Sequence, residues 1–247
     1  EMQKGNILRI CVEEYCELPV DRDAFKGEVP QIRNMRPASP FAFYIQRKLF
    51  IHNMGHALTA YLGKLKNYGF IWEAIQDPYI ELAVRKAMQD SARALSAEHG
   101  VELSIILDHV DDLIFRFSNK LLGDTINRVG NDVRRKLSPN DRLVGAAALC
   151  TAHGINPANI CLGIAAAMKF DSMDANLKGV ADILAVEGPE AVLKGICGLS
   201  EGNIIYALAM ELYGLLGNSV NADDVIREAA ELKRREIIIR RTCNHEH

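Results

Sequence analysis

No apolar run in this chain of 247 residues approaches the roughly 18 that a membrane span requires, and the N-terminus lacks the basic-then-apolar pattern of a secretory signal. Charge of one sign is not in excess: a net charge of −3 gives no electrostatic case for nucleic acid or an anionic membrane as partner. The six cysteines, Cys11, Cys16, Cys150, Cys161, Cys197 and Cys243, include no CxxC pair. That spacing fits reduced, mostly buried thiols in a cytoplasmic protein rather than a disulfide framework or a zinc site. No strand-like stretch leads through GxGxxG into a helix, so a dinucleotide-binding fold is not encoded here. Internal repeats and low-complexity segments are lacking too.

What is present is an ordinary globular composition, 49% hydrophobic, enough to bury a sizeable core. Asn6 to Val20 alternates β-branched or apolar residues with polar ones, which predicts one or two strands. A lone strand pair is marginal in water, so these strands point to partner strands that the chain does not supply. Asp21 to Ala38, with Gly27, Pro30 and Pro37, reads as a turn-rich connector. Beyond it the periodicity is helical almost throughout, with predicted helices over Phe70–Gln76, Tyr79–Glu98, Leu103–Lys120, Asp141–His153, Pro157–Phe170, Asn176–Glu187, Pro189–Leu199, Gly202–Leu216 and Ala222–Ile239. The small residues of Gly163 to Ala167 suit close helix packing. The expected fold class is mainly α, divided into a short β segment with its connector over 1–36 and a multi-helix domain over 37–247.

The chain is organised around Ser39 to Lys66. Ser39 is a good N-cap and Pro40 suits the first helical position, so a helix of roughly 40 Å is expected to run from there to Lys66. With Lys48 at zero on an α-helical wheel, His56 falls at about 80° and Asn53 at about 140°. An amine, an imidazole and a carboxamide then share one face of an otherwise apolar helix. An amine whose pKa is lowered by burial or neighbouring cations can take a proton from an alcohol, and an amide N–H can hold the oxygen as it gains charge. Gly55 fits a place where another backbone or a ligand approaches closely. The plainer reading, that each is a surface or satisfied core residue, is the usual one for any single Lys, Asn or His.

What lifts the chemical reading is a motif. Lys48-x4-Asn53-x2-His56, within Arg47-Lys48-Leu49-Phe50-Ile51-His52-Asn53-Met54-Gly55-His56-Ala57, resembles the signature of the polyol-specific long-chain dehydrogenases, and within them that of the mannitol-1-phosphate 5-dehydrogenases. Arg128-Val129-Gly130 through Arg135-Lys136 to Asp141-Arg142-Leu143 is similar to the second signature of the same family. There the first Arg and the Lys eight positions later contact substrate, which implies those roles for Arg128 and Lys136. Arg142 is carried by the motif match alone, as a candidate for phosphate. Clustered Arg and Lys suit a phosphorylated or polyhydroxylated substrate, whereas without the resemblance a solvated charged loop is the simpler account.

The resemblance runs nearly end to end, taking in Val12 to Tyr15, Leu18 to Asp21, Phe25 to Gly27 and Gly163 to Phe170. It departs at Glu14, where Pro is usual, which leaves mannitol, fructuronate, tagaturonate and arabinitol open as substrates. It implies the helical C-terminal domain of a polyol dehydrogenase, of the 6-phosphogluconate dehydrogenase C-terminal-like type, with the last strands of a Rossmann domain whose remainder the chain lacks. It implies NAD as cofactor, no metal, and interconversion of mannitol 1-phosphate and fructose 6-phosphate, with Lys48 as general base, Asn53 on the oxygen and His56 on a substrate hydroxyl. An inactive helical binding or assembly module is the alternative for this chain by itself.

Three other groupings carry less. His52 and His56 have the i, i+4 spacing of a helical zinc pair, but Asn53 stands where the metalloprotease pattern needs Glu and no third ligand is evident. Asp108, Asp111 and Asp112 read as a solvated acidic helix face. Trp72 reads as core, and Lys233-Arg234-Arg235 with Arg240-Arg241 as the charged side of a surface helix.

Overall fold

The computed structural model describes residues 2–3, 5–10, 17–170, 179–218 and 221–243. The chain forms two compact units, Glu1–Gln46 and Arg47–His247. The expectations placed on Cys11, Cys16, Val12 to Tyr15 and the start of a helix at Asn176 lie outside the described residues, as do the side chains of Lys233 to Arg241 and Cys243.

In the first unit β1 (Met2–Gln3) pairs antiparallel with β2 (Asn6–Ile10). A second two-stranded sheet pairs β3 (Leu18–Asp21) with β4 (Met35–Ala38) in parallel, from Leu18 opposite Met35 to Asp21 opposite Ala38. The reading of 21–38 as connector missed β4 because Pro37 argues against a strand interior. In a two-strand sheet Pro37 costs little, since no further neighbour needs its missing N–H. An ion pair from Arg36 to Glu17 at 2.6 Å fastens this edge. Ser39 does not cap a helix: its hydroxyl donates to the Asp23 carboxylate, and the helix starts later, with α1 at Ala42–Arg47.

The predicted single long helix is occupied by α1, a π-helical turn over Lys48–Asn53 and α2 (Met54–Leu65). Then come α3 (Ile71–Ile75), α4 (Pro78–His99), α5 (Leu103–Phe117), α6 (Ile126–Gly130), α7 (Val133–Lys136), α8 (Val144–Ala152), α9 (Ala158–Met168), α10 (Val180–Glu187), α11 (Pro189–Gly195), α12 (Ile204–Asn218) and α13 (Ala222–Cys243). The boundaries of α4 follow from its sequence. Asp77 accepts hydrogen bonds from the backbone N–H groups of Tyr79 at 2.9 Å and Ile80 at 3.2 Å, Pro78 fills the first helical position, and Gly100 ends the helix at φ 65°. Among the described residues no helix is long and apolar enough to cross a membrane.

The core of the second unit is built on α2 and α9. Every residue of α9 is buried, and α2 packs against α3, α4, α6 and α9. Glycines let these axes approach. A Cβ on Gly63 would sit 2.7 Å from Ile126 Cδ1 and 2.8 Å from Ala74 Cβ, and one on Gly163 would sit 2.9 Å from Leu58 Cδ1. Gly55 is filled by neither a backbone nor a ligand: the side chain of Met88 on α4 occupies the space a Cβ would need. Cys150, Cys161 and Cys197 are buried thiols outside any disulfide. Trp72 is only partly buried, with Phe70 stacked beside it at 6.3 Å and the Lys120 ammonium 4.4 Å from its ring. The expected core role is not observed, because α3 is a single short turn whose buried side is taken by Ile71, Ala74 and Ile75.

Candidate active site

Lys48 and Asn53 are the first and last residues of the π-helical turn, and His56 follows in the first turn of α2. In an α-helix residues five apart differ by about 140° in direction. Bonding of the i→i+5 type, seen where the Met54 N–H donates to the Leu49 carbonyl, widens the turn and narrows that angle. The widened turn therefore aligns Lys48 with Asn53 more closely than a regular helix would. Lys48 is exposed, while Asn53 and His56 are half-buried. The desolvation expected of Lys48 is thus not provided by the described residues of this chain.

His56 is held on two sides. Its ring stacks on Phe117 at the end of α5, with centroids 5.0 Å apart and planes at 16°, and its Nε2 lies 3.2 Å from Asp124 Oδ2. The other oxygen of Asp124 pairs with the Arg128 guanidinium. Asp124 owes its position to the backbone: the Ile71 N–H donates to the Asp124 carbonyl at 2.9 Å and the Ile126 N–H to the Gly69 carbonyl at 3.0 Å. Thr125, next in sequence, caps α6 by accepting from the Arg128 N–H at 3.2 Å. One carboxylate, missed in the sequence, thereby joins the two motifs. Its signal was the i, i+4 spacing to Arg128, from the residue just before the Thr125 cap of α6 to its third residue.

His52 packs between the same groups, 6.2 Å from the His56 ring and 5.8 Å from Phe117. Burial, then His56, Arg116, His109 and Lys48, lower its pKa to about 3, so it is a neutral imidazole at ordinary pH. A zinc role for His52 and His56 finds no support in geometry: Asp124 holds His56, and among the described residues no group of three His, Cys, Asp or Glu forms.

The other expected substrate residues form a second cluster. Lys136 is 6% exposed, and its Nζ donates to the carbonyls of Val129 at 2.5 Å and of Asn131. Burial and the nearby Arg142 and Arg135 lower its pKa to about 8. Arg142 donates through Nε to Asp141 at 2.7 Å, and Asp141 also receives Arg135 at 3.2 Å. The structure thus brings Arg128 to His56, groups Lys136 with Arg142, and leaves the Arg128 side chain 60% exposed. Asp108, Asp111 and Asp112 are exposed on α5; Asp111 pairs with Arg85, and Asp112 lies 3.7 Å from Arg116.

The helical unit thus carries an amine, a carboxamide and a carboxylate-held imidazole on one helical stretch, with a guanidinium tied to the same carboxylate. The sequence matches the family model of the mannitol dehydrogenase C-terminal domain over residues 41–194, and the chain belongs to that family. Its fold is similar to Pseudomonas fluorescens mannitol 2-dehydrogenase, solved as a ternary complex with NAD and D-mannitol, with a TM-score of 0.62 and 20% identity over 81% of this chain and 43% of that one. It is similar also to a D-sorbitol dehydrogenase solved in substrate-free form, with a TM-score of 0.64 and 19% identity over 78% of this chain and 42% of that one. The chain therefore spans less than half the length of these enzymes. The matched residues include all six candidate site positions, Lys48, Asn53, His56, Arg128, Lys136 and Arg142. The residues present do not fit the pyrophosphate of a dinucleotide, for which a Gly-rich turn between strand and helix is the usual cradle.

Proposed function

We propose that this chain is the substrate-handling domain of a polyol dehydrogenase, acting on a sugar alcohol or its phosphate and producing the ketose, with mannitol 1-phosphate and fructose 6-phosphate as the favoured pair. The observation that carries this reading is the shared Asp124 carboxylate, which ties His56 of the first motif to Arg128 of the second. Unrelated surface groups have no cause to be joined in this way.

Lys48 Nζ takes the hydroxyl proton of the polyol, and the Asn53 amide N–H donates to the oxygen as charge builds on it. His56, oriented by Asp124 and Phe117, positions a substrate hydroxyl. Arg128, exposed apart from its carboxylate partner, and the Lys136 and Arg142 cluster face the polar end of the substrate, where a phosphate would sit. NAD supplies the hydride acceptor when bound by residues outside this chain. The reaction is tested by following NADH formation from mannitol 1-phosphate, mannitol, sorbitol and arabinitol, and its consumption with fructuronate and tagaturonate, in the enzyme that carries this domain. Turnover of mannitol 1-phosphate at the highest kcat/KM is expected. Turnover of none of them removes the reading.

For the 247 residues alone, a binding or assembly role without activity is supported by the lack of a dinucleotide cradle. Tight binding of NADH by this chain by itself would contradict that.

A further inference from the structure

Well apart in sequence from the residues above, α4, α9 and the first turns of α13 line a half-open cavity of about 440 Å³. That is the size of pockets that take small organic ligands. Ala83 from α4, with Ile226 and Ala230 from α13, gives it apolar walls. Tyr79 forms one edge and is itself pinned, with the Lys66 ammonium and the Arg227 guanidinium each 5.5 Å from its ring centroid.

Asn159 is the informative residue. It is the single polar amide in α9, whose sequence is otherwise Ala, Ile, Cys, Leu, Gly and Met, and it is 1% exposed. It lines the cavity, and its buried Nδ2 has no hydrogen-bond partner. Buried donors are ordinarily satisfied, so an unmatched one lining a pocket calls for an acceptor inside that pocket. The charges bordering the cavity say which kind. Lys86 and Arg227 are cationic and Glu231 is the acidic lining residue, leaving a positive balance. Arg227 is already committed to Asp224 at 2.7 Å, whereas Lys86 makes no ion pair among the described residues.

We propose that this cavity binds a small apolar carboxylic acid, its hydrocarbon part between Ala83, Ile226 and Ala230, one carboxylate oxygen on Asn159 Nδ2, and its charge answered by Lys86. The site is separate from the alcohol-handling residues and does not depend on the reading of them.

Titration calorimetry of the full chain with octanoate, below its micellar range, tests this beside octylamine and octanol, which keep the hydrocarbon and change the head. Octanoate is expected to bind saturably at one equivalent and more tightly than either analogue. Lys86→Ala, a change at a partly exposed helix position, is expected to weaken octanoate by about fivefold, the upper range for a surface charge pair. Asn159→Leu, which removes the donor and narrows the cavity, is expected to weaken it about tenfold or more. Absence of saturable binding overturns the proposal, as does octylamine or octanol binding as tightly as octanoate. Unchanged affinity in Lys86→Ala overturns it too, whether or not Asn159→Leu folds.

Discussion

His56 Nε2 and Asp124 Oδ2 lie 3.2 Å apart, and through that contact a residue absent from either sequence motif governs both. A carboxylate accepting from Nε2 fixes the ring tautomer and its direction, while its second oxygen restrains Arg128. Asp124→Asn keeps the size and removes the charge. In the enzyme that carries this domain it is expected to lower kcat/KM for the polyol by about 10–100-fold, the scale of misplacing a reacting group by about an ångström. Steady-state kinetics with folding checked by circular dichroism decide it; a loss under about threefold would show that Asp124 is only structural.

Lys48 is exposed and makes no ion pair among the described residues, so its replacement disturbs little packing. Lys48→Ala is expected to leave thermal stability within about 0.5 kcal/mol, as surface substitutions do. Its turnover is expected to fall by about 10²–10⁴, the contribution of a general base. Partial recovery on adding a small primary amine would locate the loss at the missing amine. Turnover within about tenfold of the parent would remove Lys48 from the role.

Two imidazoles predict how stability responds to acid. Burial holds the pKa of His52 down to about 3, with His56, Arg116, His109 and Lys48 adding to it. His109 is held at about 4 by burial and then by Arg47 and Arg116, against Asp112. In the unfolded chain both return to near 6.5. Between about pH 4 and 6.5 the unfolded state then binds more protons than the folded one, so stability rises with pH across that window and falls as it is acidified. His52→Gln, which cannot titrate, is expected to flatten this slope in chemical denaturation series run from pH 4.5 to 7.5. An unchanged slope would mean that His52 titrates alike in the folded and unfolded protein, so that burial does not hold its pKa down.

How much of this was legible in the sequence depended on what kind of signal each feature leaves. The Asp77-Pro78 start of α4 is local and was read to within a residue, whereas helix periodicity found the elements but left several ends, such as those of α5, α8, α11 and α13, three or four residues off. Lys48, Asn53 and His56 stood out because a motif fixes their spacing. The π-helical turn between them left no mark, since i→i+5 bonding has no composition of its own and is decided by packing. Asp124 was hidden because an Asp before a Thr cap reads as ordinary helix-start chemistry; its partner His56 is far away in sequence. The basic stretch around Arg128 to Arg142, for which a solvated charged loop was the simpler account, holds α7 and most of α6, with Lys136 turned inward onto backbone carbonyls. A lysine in a basic run gives no hint of that.

The interior makes its own prediction at Gly63. Its missing Cβ is what lets α2 meet Ile126 of α6 and Ala74 of α3. Gly63→Ala gains helix propensity worth about 1 kcal/mol. Against this, the new methyl would stand 2.8 Å from Ala74 Cβ, an atom fixed by backbone, so α3 must move away from α2. Overpacking of this kind costs about 1–3 kcal/mol. The net expectation is a destabilised protein, and because the start of α3 and the residue Gly69 before it position Asp124, a loss of activity as well. A higher melting temperature for Gly63→Ala would show that the α2 and α3 contact yields more easily than the geometry implies.

Lys66 lies between two carboxylates, Asp77 and, at 2.6 Å, Asp223, and so ties the end of α2 to the starts of α4 and α13. Tyr68 adds its hydroxyl to Asp77 at 2.9 Å. Burial alone would raise the Asp77 pKa, but Lys66, Tyr68 and the N–H groups of Ile80 and Tyr79 outweigh it and hold the carboxyl below its usual range. A depressed carboxylate contributes stability that is present above its unfolded pKa of about 3.9 and lost as pH falls through the lower folded value. Lys66 is shifted the other way: burial lowers its pKa, the hydrogen bonds from its ammonium to Asp223 and Asp77 raise it further, and the net is upward. Its share is therefore complete below about pH 10.4 and lost only at higher pH. Asp77→Ala removes the cap of α4, worth about 0.5–2 kcal/mol, and strips Lys66 and Tyr68 of a partner. A total loss of about 2–4 kcal/mol at neutral pH is expected from the cap and the broken, partly buried pair together. The difference from the parent should begin to shrink below about pH 4, where the unfolded chain takes up a proton at Asp77 before the folded protein does. Denaturant unfolding at pH 7 and pH 3 measures both quantities, and an equal deficit at the two pH values would mean that the Asp77 charge contributes nothing to the fold.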